Sequence, residues 1–242
     1  LMRGQMPDDF YEQTRLEKLI RSVFSPVENI ARPDRSRLKT PFVVLRSEYQ
    51  QMVLFHAIRL GGWGPWFGPA LLLAILLWVL LLLTVPKQAM LLLGLAVPLL
   101  LPAVSISEAW WARFYPQLAL LPVLLAAGAW LCGKIWARAG ALLLLVILTY
   151  NVALPAFLQI RANLQQSQAM TVCLEKLRVS PQPVVVYFQW FTSNRLRLND
   201  FGIHYIAVDS LEKLPCPEPE RLPSTWVRYC PPPAFNPRIF HH

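Results

Sequence analysis

Charged residues are scarce in the middle of this chain. Residues 60–158 hold four Lys or Arg residues and one acidic residue, Glu108, whereas the whole sequence of 242 residues holds 23 basic and 14 acidic residues. Such a deficit excludes an ordinary soluble domain, which carries charge along its whole length. The same region consists of apolar runs that are each about as long as the roughly 20 residues a helix needs to cross a bilayer. The sequence therefore predicts an integral membrane protein.

Short catalytic motifs are also absent. No GxxxxGK[ST], GxGxxG, HExxH or GxSxG element occurs, so nucleotide hydrolysis, dinucleotide redox chemistry, metalloproteolysis and serine hydrolysis have no support. His56 and His204 lack partners at metal-ligand spacing, so packing roles are favoured. Asp8 and Asp9 form a carboxylate pair that can bind a divalent metal, but a solvated terminal segment is the favoured interpretation. No cofactor is expected in this chain.

The net charge of +9 does not predict binding to nucleic acid. Lys and Arg are scattered and mixed with acidic residues instead of being gathered on one short element. Two moderately basic regions, residues 1–59 and 159–242, bracket the nearly uncharged middle. This distribution favours a protein that works beside anionic lipid head groups or phosphates. Membrane lipids are the expected partners, and nucleic acid is not.

The hydropathy pattern predicts a mainly α-helical, polytopic membrane protein. Residues 1–65 should form an extramembrane interfacial helical loop, 66–158 the transmembrane region, and 159–242 a small α/β extramembrane tail. The tail should contain a helix and a βαβ unit, because the apolar runs 183–188 and 203–208 enclose a helical pattern. Four transmembrane helices are predicted, at about residues 66–85, 88–106, 117–132 and 140–158.

Four crossings place both tails on the same side, but the charges leave that side open. Counted over all basic residues near the helix ends, the positive-inside rule favours cytoplasmic tails. Counted over the short loops alone, Lys87, Lys134 and Arg138 lie on one face and Arg113, offset by Glu108, lies on the other. That count favours extracytoplasmic tails.

Arg113 is the most informative charged residue, because it lies between two apolar spans among aromatic residues. A charge at such a position costs a few kcal/mol unless it is paired or reaches the interface, so it is a functional candidate. Its guanidinium can bind a lipid phosphate bidentately. A helix anchor, or a pair with Glu108, explains the residue equally well. Arg59 is a second candidate for lipid-phosphate binding, although an interfacial anchor is favoured there.

The four cysteines form no CxxC pair. Cys132 and Cys173 are expected to be free thiols. Cys216 and Cys230 both lie in the Pro-rich part of the tail, where a disulfide would staple a loop with little core of its own in an oxidising compartment. Whether that bond forms stays open at this point.

The aromatic turn that contains Arg113 carries a family resemblance. The stretch RFYPQLALLP (113–122) is preceded by SEAWWA (107–112) and, at an earlier helix start, by GGWGPWFG (61–68). Together these stretches resemble helix entries in the GT-C superfamily of polytopic glycosyltransferases, which includes the protein mannosyltransferases and the bacterial aminoarabinose transferases. The resemblance covers roughly residues 40–160 and is to the later half of bacterial members.

The resemblance implies a sugar donor on a polyprenyl phosphate, transfer outside the inner (plasma) membrane, periplasmic tails, and a phosphate contact by Arg113. The early external loop that supplies the family's acidic base or metal ligand is missing. We therefore expect a C-terminal portion of a glycosyltransferase that is not catalytic alone, with any divalent metal in the missing N-terminal part. The start at Leu1 agrees with this expectation.

Two other functions are considered. One is a non-enzymatic membrane scaffold or accessory subunit of an envelope assembly complex, whose tail binds a protein partner. The other is a segment of a transporter. The transporter is disfavoured because the spans carry almost no polar residues for a substrate path.

Overall fold

The computed structural model describes residues 8–29, 38–54 and 58–231, without the side chain of Val104. These residues are mainly helical and include a small sheet. The chain divides into two compact units, Leu1–Ile160 and Arg161–His242. The second unit begins two residues after the predicted start of the tail, residue 159.

Two short helices precede the apolar region of the first unit, α1 (Arg15–Val23) and α2 (Arg46–Leu54). Helix α1 begins at Arg15 because Thr14 caps it: Oγ1 of Thr14 accepts from the backbone N–H of Glu17 at 3.3 Å. The Glu17 carboxylate in turn accepts from the Thr14 N–H at 2.7 Å, which completes a capping box. The helix is amphipathic, and it buries Leu19 and Val23.

Four apolar helices follow, and three of them are long and apolar enough to cross a membrane. These three are α3 (Phe67–Thr84), α4 (Pro86–Ser105) and α6 (Ile135–Arg178). The predicted span 117–132 is a shorter segment, in which a 3₁₀ turn at Pro116–Ala119 leads into α5 (Leu120–Leu131). With 12 residues, α5 is roughly 18 Å long, so the fourth span is not confirmed.

The apolar helices run in alternating directions and approach one another at small residues. Trp78 Nε1 donates to the carbonyl of Ala89 at 3.0 Å across the α3–α4 turn. A Cβ atom at Gly128 would lie 2.4 Å from Leu92 Cδ1, because α5 packs closely on α4 there. Alanines and leucines fill most of the shared core. Close backbone approach at small residues is typical of helices packed in lipid.

One polar residue of α6 belongs to the core of the first unit. Asn151 is 2% exposed; its Oδ1 accepts from the Trp66 N–H at 2.7 Å, and its Nδ2 donates to the Trp63 carbonyl at 2.8 Å. Gly64 has a φ of 111°, and a Cβ atom there would lie 2.5 Å from Asn151 Oδ1. The glycine therefore lets the loop before α3 close onto the amide.

The second unit contains the end of α6 and a four-stranded sheet of order β2-β1-β4-β3. Strands β1 (Val184–Tyr187) and β2 (Tyr205–Val208) are parallel and are joined through α7 (Ser193–Asp200), which is the arrangement that the apolar pattern predicts. The sequence did not predict β3, which pairs with β4 in the Pro-rich tail. These two strands are Glu220–Arg221 and Arg228–Tyr229.

The four cysteines are placed as follows. Cys216 and Cys230 are joined by a disulfide with an S–S distance of 2.05 Å, and Cys132 and Cys173 are free. The disulfide closes the loop that contains β3 and fixes it to the end of β4.

Candidate functional site

A cavity of about 600 Å³ lies beside the aromatic turn that joins α4 to the following 3₁₀ turn. Trp63 and Trp111 supply aromatic surface to it, and Pro116 and Ala119 supply apolar surface. Arg113 is the charged residue among the described residues that line the cavity. A cavity with mostly apolar walls and one cation suits an amphiphile with an anionic group.

Side-chain donors hold the backbone of this turn in place. Trp63 Nε1 donates to the carbonyl of Tyr115 at 3.2 Å, and Trp111 Nε1 donates to the carbonyl of Ile58 at 2.8 Å. The hydroxyl of Tyr115, whose side chain is wholly buried, donates to the carbonyl of Leu99 in α4. The turn is therefore attached both to the loop before α3 and to α4, and the backbone on each side of Arg113 is fixed.

The Arg113 side chain is exposed, and it makes no hydrogen bond or ion pair with any residue in the described ranges. Glu108, its predicted alternative partner, instead accepts a hydrogen bond from the hydroxyl of Ser107. The Arg113–Glu108 pair is therefore not formed. Of the three explanations of Arg113 from the sequence, the ligand contact and the helix anchor remain.

Arg59, the second predicted phosphate contact, lies against the same aromatic turn. Its Cζ atom is 5.9 Å from the centre of the Trp111 ring, a cation–π distance. Its Nη1 atom is buried and has no hydrogen-bond partner among the residues that the structure describes. A buried donor without an acceptor is costly, so an anionic acceptor near Arg59 would be favourable. The structure thus brings both predicted arginines to the vicinity of Trp111.

A second cavity, of about 300 Å³, is lined by apolar side chains of α1, α3, α4 and α5. It borders the same 3₁₀ turn as the first cavity. Leu118 lines the apolar cavity, whereas Pro116 and Ala119 line the cavity of Arg113. The turn therefore separates a space suited to a hydrocarbon chain from a space suited to an anionic head group.

The remaining candidate residues do not join this site. Asp9 pairs with Arg21 at 3.2 Å, and no group of His, Cys, Asp and Glu residues within the described ranges could hold a metal ion. His204 is exposed, and its backbone carbonyl accepts from Val184 in the sheet. His56 lies outside the described residues.

Residues of the site that sequence reasoning missed are mainly indole donors. In the sequence, Trp63 and Trp111 are only members of the aromatic stretches 61–68 and 107–112, whereas in the structure they hold the turn and line the cavity. Their concentration beside Arg113 was the available signal, since buried indoles usually find a hydrogen-bond acceptor.

Comparison with known proteins adds no assignment to this geometry. No family model, curated protein or solved structure matches the chain.

Proposed function

We propose that this chain is the lipid-phosphate-binding part of an integral inner-membrane protein that uses a polyprenyl-phosphate-linked sugar in envelope glycan assembly. One observation carries the proposal: the Arg113 guanidinium, which has no ion-pair partner among the described residues, lies at a 600 Å³ cavity lined in part by Trp63 and Trp111. The adjacent apolar cavity gives a hydrocarbon chain a place beside the phosphate. The chain would act as the C-terminal portion of a GT-C-like glycosyltransferase, and the acidic catalytic loop would come from elsewhere in the protein.

The proposal includes four crossings, with Pro116–Leu131 as the shortest, and both tails outside the cytoplasm. A span of 16 residues, four of them in a 3₁₀ turn, reaches across much of a roughly 30 Å hydrocarbon core. The disulfide of the second unit supports the same orientation, because disulfides persist in oxidising compartments.

Binding of undecaprenyl phosphate by the protein in lipid nanodiscs tests the phosphate role, with undecaprenol as the uncharged comparison. A charge-assisted hydrogen bond contributes about 1.5–3 kcal/mol, so Arg113→Ala should weaken binding by about tenfold or more. Arg113→Lys should weaken it less, because it keeps the charge but loses the bidentate geometry.

Arg138→Ala is the matched control, because it removes the same guanidinium at a position that does not line the cavity; the Arg138 Cζ atom lies 5.7 Å from the Trp130 ring centre. Its affinity for undecaprenyl phosphate should equal that of the unmodified protein. Equal binding of undecaprenol and undecaprenyl phosphate, or unchanged binding after Arg113→Ala, would contradict the proposal.

The orientation can be tested by labelling in intact cells. In a background in which Cys132 and Cys173 are replaced by Ser, an impermeant maleimide should label Lys213→Cys in the exposed part of the tail. It should not label Lys134→Cys, which follows α5. The reverse pattern would place the tails in the cytoplasm.

A non-enzymatic scaffold is the second candidate function, and one observation favours it. Trp190, in the turn between β1 and α7, is 91% exposed, and Phe191 beside it is 42% exposed. Exposed aromatic residues of this size are typical of contact surfaces between proteins. Two results together would favour the scaffold function over the enzymatic one. Trp190→Ser would have to abolish co-purification of a protein partner, and Arg113→Ala would have to leave glycan assembly unchanged.

A further inference from the structure

A groove of about 600 Å³ in the second unit contains polar and charged side chains that the proposed lipid-phosphate site does not use. One wall is the final part of α6, where Gln165, Gln168 and Lys176 line the groove. Their spacing of three and eight residues places them on one face of the helix. The opposite wall is formed by β3 and β4, with Glu220, Arg221 and Tyr229.

A chain of hydrogen bonds crosses the floor of the groove. Cys173 Sγ lies 3.4 Å from Tyr229 Oη, and the Tyr229 hydroxyl donates to Glu220 Oε2 at 2.5 Å. The tyrosine proton is directed at the carboxylate, so the thiol is the donor in the first contact. Tyr229 is 5% exposed, and its hydroxyl orients the exposed carboxylate of Glu220. The other carboxylate oxygen of Glu220 has no hydrogen-bond partner among the described residues, so it can accept from a ligand.

Two cations of the groove have no acidic partner in the described ranges. Lys176 forms no ion pair there, since the neighbouring Glu175 pairs with Arg178 at 3.4 Å. Arg221 is held by stacking, with its Cζ atom 4.3 Å from the Trp226 ring centre, and its Nε atom donates to the carbonyl of Thr225. The two terminal nitrogens of Arg221 make no hydrogen bond with the residues that the structure describes, so they remain as donors.

We propose that this groove binds an anionic saccharide, a sugar that carries a phosphate or a carboxylate. Lys176 and Arg221 both line the groove and outnumber the single carboxylate of Glu220, and Lys and Arg side chains recognise phosphate and carboxylate groups. The side-chain amides of Gln165 and Gln168 and the open oxygen of Glu220 provide donors and acceptors for hydroxyl groups. The groove does not depend on the Arg113 cavity, so this inference stands apart from the proposed function.

The inference can be tested by titrating the full chain in nanodiscs with four ligands: glucose 1-phosphate, glucuronate, glucose and inorganic phosphate. Saturation-transfer NMR and calorimetry measure the binding. Both anionic sugars, or one of them, should bind saturably and at least tenfold more tightly than glucose or inorganic phosphate. Lys176→Ala should weaken binding of the anionic sugar about tenfold. Gln168→Ala should weaken binding of the sugar but leave the weak binding of inorganic phosphate unchanged.

Lys213→Ala is the control for loss of a cation, because Lys213 lies in the same unit and pairs with Asp209 at 2.8 Å, outside the groove. Arg113→Ala should also leave the affinity for the anionic sugar unchanged, which separates this site from the lipid-phosphate site. The inference is wrong if neither anionic sugar binds saturably, if glucose binds as tightly, or if Lys176→Ala has the affinity of the unmodified protein.

Discussion

The Nζ atom of Lys39 lies 2.7 Å from Oε1 of Glu48, and the Glu48 side chain is wholly buried. Glu48 also accepts from the backbone N–H groups of Val27 at 2.8 Å and of Leu45 at 2.7 Å. Lys39 donates as well to the carbonyl of Pro65 at 2.6 Å. One ion pair thus joins the segment after α1, the start of α2 and the loop that leads into α3.

Lys39→Met should strongly destabilise the first unit. The substitution leaves the buried carboxylate of Glu48 without its counter-charge, and breaking a buried pair in this way costs about 3–5 kcal/mol. The midpoint of thermal unfolding in detergent should fall. It can be measured by size-exclusion chromatography of the heated protein. Adding Glu48→Gln should restore only part of the loss, because the neutral amide removes the buried charge but has one acceptor oxygen, whereas the N–H groups of Val27 and Leu45 bond to different oxygens of Glu48.

Arg21→Ala is the matched control for this pair. Arg21 and Asp9 are 3.2 Å apart, but the Arg21 side chain is 45% exposed, and exposed pairs contribute no more than about 1 kcal/mol. The expected shift in the unfolding midpoint is therefore small. A Lys39→Met protein that unfolds at the same temperature as the Arg21→Ala protein would show that the buried pair has no structural role.

Asn151→Leu should destabilise the chain although it makes the membrane helix more apolar. The substitution removes the acceptor of the Trp66 N–H and the donor to the Trp63 carbonyl. Each buried group left without a partner costs about 1–3 kcal/mol. Thermal unfolding of Asn151→Leu in detergent should occur at a lower temperature, whereas Asn163→Leu, at an exposed position of the same helix, should unfold as the original does. Equal unfolding midpoints for the two variants would show that the hydrogen bonds of Asn151 do not stabilise the chain.

The sequence predicted those elements whose signals are local. Apolar runs marked α3, α4 and α6 because hydropathy within one segment decides its solubility in lipid. Short apolar runs marked β1 and β2, and the helical pattern between them marked α7. The sequence could not predict that a separate β3 would pair with β4, because a strand of two residues has no periodicity of its own.

The contacts of the candidate site are long-range, and this explains why they were not predicted. Arg59 meets Trp111 across 52 positions, and Trp111 meets Ile58 across 53. Residue type alone made Arg113 and Arg59 candidates, since a charge near apolar spans is costly wherever it lies. The absence of an ion pair with Glu108 depends on the turn geometry, which no spacing rule specifies.

Thiol counting should distinguish the two cysteine states. The denatured, unreduced protein should take up two maleimides, at Cys132 and Cys173, and reduction should raise the number to four. Mass spectrometry measures both values. Four maleimides without reduction would show that the bond between Cys216 and Cys230 does not form in the cell.

Cys216→Ser with Cys230→Ser should loosen the β3–β4 loop. In the chain-entropy model, a closed loop of about 15 residues contributes about 3 kcal/mol, and the two cysteines are separated by 14 positions. The amide protons of Leu222 and Tyr229 should exchange faster in the double variant, by hydrogen exchange with mass spectrometry. Exchange in α3 and α4 is the internal control and should not change.

Tyr229 should make the stability of the second unit depend on pH in the alkaline range. Burial raises the pKa of its hydroxyl above the ordinary value of about 10, and the contacts with Cys173 and Glu220 raise it further. The folded state therefore holds this proton more tightly than the unfolded state does. The resulting stability is fully present below about pH 10 and is lost as the pH rises above it.

Tyr229→Phe has no proton to lose, so the difference in unfolding midpoint between pH 8 and pH 11 should be smaller than in the unmodified protein. Tyr205→Phe, in the same sheet, removes a hydroxyl but keeps Tyr229, so it should retain the full alkaline loss. If Tyr229→Phe and Tyr205→Phe lose stability equally between the two pH values, the hydroxyl of Tyr229 does not contribute to the alkaline transition.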